Sequence, residues 1–355
     1  MRVLVGMSGG VDSTLAAHLL KEQGHEVIGV TMTIWSERAH LTPKEDSRSC
    51  FAPNSAETIA RVKETCEKLG IEHTTLELSK NFEELVLANF TTEYLSGRTP
   101  NPCVWCNTLI KFGAMVDYAK ESGLVFDTFA TGHYARIIES EGRFSLARAL
   151  DVKKDQSYFL YRLSQKQLAT TCFPLGSLTK EEVLARAISL GYHSPEIEES
   201  QDFYDGDYTD LLEIEDKLGK IVHLDGRALG EHRGIHRYTI GQRKGLGIAA
   251  ERPLYVIALD AKANEVIVGY QEDTLQHTVV AKEVVWQSRT SLDQPVAAMG
   301  KVRSASTPTA CMVHQEKGRL VAHFPDGIHA AALGQSLVLY EEDRVLAGGI
   351  ISEAF

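Results

Sequence analysis

Along the first half of the chain, short β-branched apolar runs alternate with stretches whose apolar residues recur every three or four positions. Val3 to Val5 predicts a buried strand. The stretch after it carries Leu15, Ala16, Leu19 and Leu20 on one helical face, with Gly24 as its stop. Glu26 to Trp35 predicts a second strand. Asn54 with Glu57 marks a helix start, and Ile59, Val62, Cys66 and Leu69 form one stripe. Ile71 to Leu78 predicts a third strand, Phe82 to Leu95 a helix, the pattern around Ile110 to Ala119 another, and Phe126 to Ile138 a later strand. Strands alternating with helices specify an α/β fold with a parallel sheet covered on both faces.

After about residue 195 the period changes to short alternating runs: Lys220 to Leu224, Leu254 to Leu259, Glu265 to Val268, Ala297 to Val302, Leu320 to Phe324 and Ser336 to Tyr340. Asp225-Gly226 and Asp326-Gly327 supply turns between them. This predicts a small central domain followed by a C-terminal β-barrel. The expected division is 1–197, 198–265 and 266–355. A length of 355 residues agrees with two or three domains at roughly 150 residues each.

Composition narrows the picture. An apolar share of 43% excludes wholesale disorder. Charged residues interrupt each apolar run before the roughly 18 residues a membrane span needs. No basic–apolar–small leader pattern is visible from Met1 to Val5, so a cytoplasmic location and no membrane partner are expected. Six scattered cysteines make no disulfide framework; the close pair is Cys103-Val104-Trp105-Cys106, a spacing suited to sulfur or metal chemistry.

Between the first strand and first helix lies Gly6-Met7-Ser8-Gly9-Gly10-Val11-Asp12-Ser13. Glycines there let backbone N–H groups approach an anion, and the helix N-terminus adds its dipole. The run lacks the lysine of a G-x-x-x-x-G-K-[ST] loop. Asp12 instead puts a carboxylate beside the phosphates, where it would repel them unless it holds Mg2+ or orients the nucleotide. The run resembles the SGGxDS signature of the ATP pyrophosphatases, which cleave ATP between the α- and β-phosphates and adenylate a substrate oxygen.

Further motifs follow: Gly97-Arg98-Thr99-Pro100-Asn101-Pro102-Cys103-Val104-Trp105-Cys106-Asn107, Ala130-Thr131-Gly132-His133-Tyr134, Lys154-Asp155-Gln156-Ser157-Tyr158-Phe159, Glu199-Ser200-Gln201-Asp202 and Tyr238-Thr239-Ile240-Gly241-Gln242-Arg243-Lys244-Gly245-Leu246-Gly247. Together, over essentially the whole chain and in order, these resemble the tRNA-specific 2-thiouridylase family. The resemblance implies a pyrophosphate-loop domain of the adenine nucleotide α-hydrolase-like type, a small central domain and a C-terminal β-barrel. It implies ATP-dependent replacement of the C2 oxygen of the tRNA wobble uridine by sulfur, on tRNAs of the Glu, Gln and Lys type, with a sulfur-donor protein or sulfide as further partner.

Carried over residue by residue, Gly6 to Ser13 would bind the ATP phosphates, with Met32 and Gly132 near the nucleotide. Asn101, Pro102 and Cys103 would flank the target base. His133, Lys154, Asp155, Gln156, Arg303 and Gln335 match tRNA-contacting positions, although Ser304 replaces the tyrosine of a family Arg-Tyr pair. Cys106 matches the family's first catalytic cysteine. The chain departs from the family at two places. Cys103 stands where an aspartate is expected, and the segment from Gln201 to Tyr208 has no second catalytic cysteine.

Cys106, Cys103 and Asp12 are therefore the candidate catalytic residues. Cys103 and Cys106 could form a relay in which one carries a persulfide and the other resolves it. Alternatively they ligate a 4Fe–4S cluster with Cys50 as third thiolate. Cys66 lies on an apolar helical stripe, and Cys172 and Cys311 are in apolar surroundings; all three read as structural.

The net charge of −11 disfavours nucleic acid as a partner, but residues 227–245 hold Arg227, Arg233, Arg237, Arg243 and Lys244 against Glu231 alone. Of these, Arg237, Arg243 and Lys244 are the candidate tRNA contacts. Two other classes compete with the thiouridylase. A pyrophosphate-loop amide ligase would need neither the thiol pair nor the β tail. A tRNA-binding paralogue without activity would have no reason to keep Asp12.

Overall fold

The computed structural model describes residues 1–35, 49, 51, 56–192, 204, 206, 208–212 and 214–355. The chain forms two compact units. One comprises Met1–Val86, Cys103–Gly206 and Asp343–Val345; the other comprises Leu87–Pro102, Asp207–Glu342 and Leu346–Phe355.

The first unit begins β1 (Arg2–Gly6), α1 (Val11–Glu22), β2 (Glu26–Thr33), α2 (Ala56–Leu69) and β3 (Glu72–Glu77). The helical stretch expected from Phe82 to Leu95 is interrupted: α3 (Ser79–Phe82) runs into a π-helical turn, Glu83–Leu87, before α4 (Ala88–Leu95), which belongs to the second unit. Then come α5 (Pro102–Trp105), a π-helical segment Cys106–Ala114, α6 (Met115–Glu121), β4 (Thr128–Ala130), the hairpin β5 (Ala135–Ser140) and β6 (Arg143–Arg148), α7 (Ser157–Leu160), α8 (Gln165–Ala169), β7 (Thr171–Cys172) and α9 (Lys180–Ser189).

The parallel sheet has the order β3-β2-β1-β4-β7. Val3 of β1 lies opposite Val27 on one side and Thr128 on the other. β1 runs Val-Leu-Val with all three fully buried, as a strand covered on both faces requires. One face packs Val3, Val5 and Met7 against Val62, Cys66 and Leu69 of α2. The other layer joins Leu15, Ala16 and Leu19 of α1 to Tyr134, Leu175 and Val183. The order reverses between β1 and β4, so the loops at their carboxyl ends flank the crevice where such sheets take ligands.

The single strand expected from Phe126 to Ile138 is two. β4 belongs to the parallel sheet, while β5 pairs antiparallel with β6, and Thr131 to Tyr134 turn between them. A Cβ on Gly132 would come within 2.7 Å of Asp12 C and Ser13 N, so the chain can pass here only as glycine.

In the second unit, β8 (Gly219–His223), β9 (Ala228–His232), β10 (Tyr255–Asp260) and β11 (Glu265–Gly269) form a sheet of order β10-β11-β8-β9. Six further strands follow: β12 (Leu275–Trp286), β13 (Val296–Lys301), β14 (Thr309–Glu316), β15 (Arg319–His329), β16 (Ser336–Glu341) and β17 (Arg344–Ala354). They close into a barrel in the order β12-β15-β14-β13-β16-β17, with Val279 of β12 opposite Ala354 of β17. Val279, Val313, Leu320, Phe324, Leu337 and Leu339 fill its interior.

Candidate active site

The loop after β1 is closed on itself by hydroxyls. Ser13 Oγ donates to Gly10 O at 3.0 Å and lies 3.2 Å from Ser8 N and from Ser8 Oγ; Thr14 Oγ1 donates to Gly10 O at 3.1 Å. Gly9 adopts φ +79°, a conformation that costs a residue with a Cβ. Thr31 of β2 anchors the loop's first turn by donating to Met7 O at 2.8 Å. Met32 follows on the same strand, half-buried. The result is a rigid loop at a helix N-terminus, the geometry that receives phosphates.

Asp12 sits in the first turn of α1, half-exposed, and its Oδ1 is doubly engaged. Tyr134 Oη donates to it at 2.8 Å and Lys180 Nζ at 2.7 Å. Tyr134 follows the close-approach glycine, Gly132. Lys180 opens α9, whose N-cap Thr179 forms a reciprocal capping box with Glu182. Sequence reading missed Lys180 as a site residue. The Thr179–Glu182 spacing signals a helix start, but nothing local tells which way Lys180 points.

His133 is half-buried. Its ring meets Phe112 and Phe173, and Nδ1 lies 2.7 Å from Thr131 Oγ1. Burial, with the Lys111 charge nearby, holds its imidazole well below the usual histidine range, so the ring is neutral. Asp155 and Gln156 are also committed locally. Asp155 accepts from Ala149 N, Ser157 N and Ser157 Oγ, and Gln156 Oε1 accepts from Tyr134 N. Their role in this structure is to shape the turn that presents Lys154 and Tyr134.

Cys103 and Cys106 lie three positions apart on a continuous helical stretch, Cys103 within α5 and Cys106 opening the π-helical segment. Cys103 is partly exposed and Cys106 buried. One helical turn separates them, a spacing that a small adjustment closes into a disulfide. Contacts with later parts of the chain hold the segment. Arg162 stacks 4.3 Å from the Trp105 ring, Asn107 Nδ2 donates to Phe159 O at 3.2 Å, and Gln167 Nε2 donates to Thr108 O at 2.9 Å and Phe112 O at 3.0 Å. Gln167 thus satisfies carbonyls along the π-helical path. Cys50 and Gln201–Asp202, expected near this chemistry, lie outside the described residues.

The remaining described thiols are chemically quiet. Burial pushes Cys66 and Cys172 up to about 11 and Cys311 to about 12. Among the described residues, two thiols stand together where a 4Fe–4S cluster takes three or four, so the described donor set does not by itself fit a cluster. Mg2+ fits better, because it is commonly held by one carboxylate plus substrate phosphates, and Asp12 supplies that carboxylate.

In the second unit, Thr99 to Pro102 are pinned. Thr99 N donates to Leu333 O at 2.7 Å, and Gln335 Nε2 reaches Thr99 O at 3.3 Å and Pro100 O at 2.8 Å. Asn101 is buried. Arg303 donates to Ile240 O and Ala330 O, which fixes the loop that leads to Arg243. The basic stretch is partly neutralised by acids outside it. Arg227 pairs with Asp225 at 2.8 Å and Arg237 with Asp216 at 2.8 Å, while Arg233, Arg243 and Lys244 are exposed. No described helix is long and apolar enough to cross a membrane.

A phosphate loop at the switch point of a parallel sheet, with a thiol pair in the same unit and a separate β-barrel, defines a modular nucleotide-dependent enzyme of the pyrophosphate-loop class. Comparison with known proteins narrows this. Family models described as tRNA methyl transferase HUP domain, tRNA methyl transferase PRC-barrel domain and aminomethyltransferase beta-barrel domain match residues 1–204, 212–270 and 276–351. The chain is 44% identical to tRNA-specific 2-thiouridylase MnmA of Endomicrobium trichonymphae over 99% of both chains. It is 43% identical to tRNA-specific 2-thiouridylase MnmA 1 of Caldanaerobacter subterraneus subsp. tengcongensis, covering 99% of this chain and 98% of the relative. The chain belongs to the tRNA-specific 2-thiouridylase family.

Proposed function

We propose that this protein uses ATP to replace the C2 oxygen of a tRNA wobble uridine with sulfur, in the cytoplasm, releasing AMP and pyrophosphate. Glu-, Gln- and Lys-type tRNAs are the substrates expected from the family. The observation that carries the reading is one unit holding both a lysine-free phosphate loop with Asp12 and the adjacent thiols Cys103 and Cys106. An amide ligase has no use for the second.

The uridine O2 attacks the α-phosphorus, the α–β bridging bond breaks, and pyrophosphate leaves; Asp12 would hold Mg2+ against the phosphates. Gly6 to Ser13 orient the triphosphate, and Met32 and Gly132 border the nucleotide. The partly exposed Cys103 suits the persulfide carrier, because a sulfur-donor protein must reach it. Its terminal sulfur attacks C2, and AMP departs with the former O2. The Cys106 thiolate then attacks Cys103 Sγ, the persulfide S–S bond breaks toward the transferred sulfur, and a Cys103–Cys106 disulfide remains for a cellular thiol to reduce. Asn101 and Pro102 would border the target base. Lys154, Arg243, Lys244, His133, Gln335 and Arg303 would contact or position the tRNA.

The test is 2-thiouridine formation on tRNA with labelled ATP and a persulfide donor. Cys103→Ser and Cys106→Ser should each abolish thiolation while ATP binding survives. A double variant that still thiolates, or release of ADP and orthophosphate by the parent, rejects the reading. Cys50→Ser separates the relay from a cluster: a relay keeps activity, whereas a cluster using Cys50 loses iron and activity together.

A further inference from the structure

The phosphate loop lacks its own cation and carries an anion, so an unaided loop would repel the polyphosphate it must hold. The structure places a cation at that point from elsewhere in the chain. Lys180 Nζ lies 2.7 Å from Asp12 Oδ1 and 5.7 Å from the centre of the Tyr134 ring, its side chain only 12% exposed. Its backbone is fixed independently of its charge: Lys180 N donates to Asp151 Oδ2 at 3.0 Å, and the Thr179–Glu182 capping box sets the helix start. A long flexible side chain has thus been brought to one carboxylate oxygen already satisfied by the Tyr134 hydroxyl.

We infer that Lys180 is a phosphate-binding residue, the cation supplied by α9 in place of a loop lysine, and held on Asp12 until a nucleotide polyphosphate draws it across. This rests on the ATP reading above and goes beyond it by assigning the charge that the loop itself omits. A lysine ammonium is a compact point charge with three donors on a flexible stem, suited to such an exchange. Asp12, relieved of Lys180, is then open to a second cation.

The experiment is equilibrium binding of ATP, pyrophosphate and adenosine to the full-length protein, without added metal. The variants are Lys180→Gln, Lys180→Arg and Asp12→Asn, with thermal unfolding monitored alongside. Lys180→Gln should weaken ATP and pyrophosphate about 10- to 100-fold, the loss of one charged hydrogen bond, and leave adenosine unchanged. Lys180→Arg should recover much of that loss. Asp12→Asn should move metal-free ATP affinity the opposite way, since it removes a repelling carboxylate and releases Lys180. Equal ATP affinity in parent and Lys180→Gln overturns the assignment. So does parallel loss of ATP and adenosine, which marks a merely structural lysine. Failure of the parent itself to bind ATP rejects the nucleotide reading as well, and the adenosine and pyrophosphate arms show which half of the ligand is at fault. If Lys180→Gln unfolds, Lys180→Met carries the test with the same expected losses, and Asp12→Asn weakening metal-free ATP would then count against the exchange.

Discussion

The side-chain amide of Gln335 donates to the main-chain carbonyls of Pro100 and Thr99, residues 235 and 236 positions earlier. A polar residue between β15 and β16 thereby sets the conformation of the segment that leads into Cys103. Two X-Pro steps already restrict that segment, and the amide fixes what remains.

Gln335→Ala should therefore act at a distance. Losing these hydrogen bonds is expected to cost about 1 kcal/mol in unfolding free energy. Limited proteolysis should become faster within 97–102. An unchanged cleavage pattern would show that the prolines alone hold the loop.

Gly132→Ala should damage the phosphate loop rather than the sheet. The added methyl meets Asp12 C and Ser13 N at 2.7 Å, both backbone atoms that cannot swing aside. Overpacking of this kind costs about 1–3 kcal/mol. Nucleotide affinity should fall more than the melting temperature suggests, read by calorimetry and binding on the same sample.

The buried thiols predict a pH dependence. Their folded values of about 11 to 12 lie above the ordinary thiol value of 9.0, so the neutral thiol is favoured by the fold. That contribution is complete below pH 9 and is lost as pH rises through 11, because the unfolded chain ionises first. Stability should fall across this alkaline window. Native alkylation at pH 8 should spare Cys66 and Cys311, both buried and with a thiolate fraction of about one in a thousand or less; rapid labelling of either, seen by peptide mass spectrometry, contradicts the burial.

Residues of the basic stretch should not contribute equally to tRNA binding. Arg243→Ala is expected to lower the log–log salt slope by about 0.7 to 0.9. Arg237→Ala should do less, since Asp216 already pairs with it, and Asp216→Asn should strengthen binding. Unchanged affinity and slope for Arg243→Ala would mean that the stretch is merely solvated.

What was legible in the sequence follows the range of the interactions. The phosphate loop is local: glycines, a strand before and a helix after, so the residues announce it. Lys180 is not, because its partner Asp12 lies 168 residues away and only tertiary packing brings them together. The strand read as continuous from Phe126 to Ile138 splits where Gly132 yields to a neighbour that no local pattern reveals. In the barrel, β12 was passed over because bulges break its alternation, with a register shift between Lys282 and Val285 and Glu283 at φ +52°. β17 was hidden differently: Val345 to Ile351 are buried without interruption, so period-two alternation is absent. Cys106 and Cys103 were found by their spacing, but the π-helical path beyond them leaves no such trace.

That path has a consequence for the length of the chain. A π turn holds roughly one residue more than an α turn, and each surplus residue rotates whatever lies upstream by about 100°. Between Cys106 and Ala114 the segment is wound this way, with Gln167 tending carbonyls along it. Shortening it by one residue would relax it toward an ordinary helix and ease its hydrogen bonding, yet the two thiols would be turned away from the direction they now face. Residue number here acts as a dial setting, and drift in length is a more serious injury to this site than many substitutions of side chains.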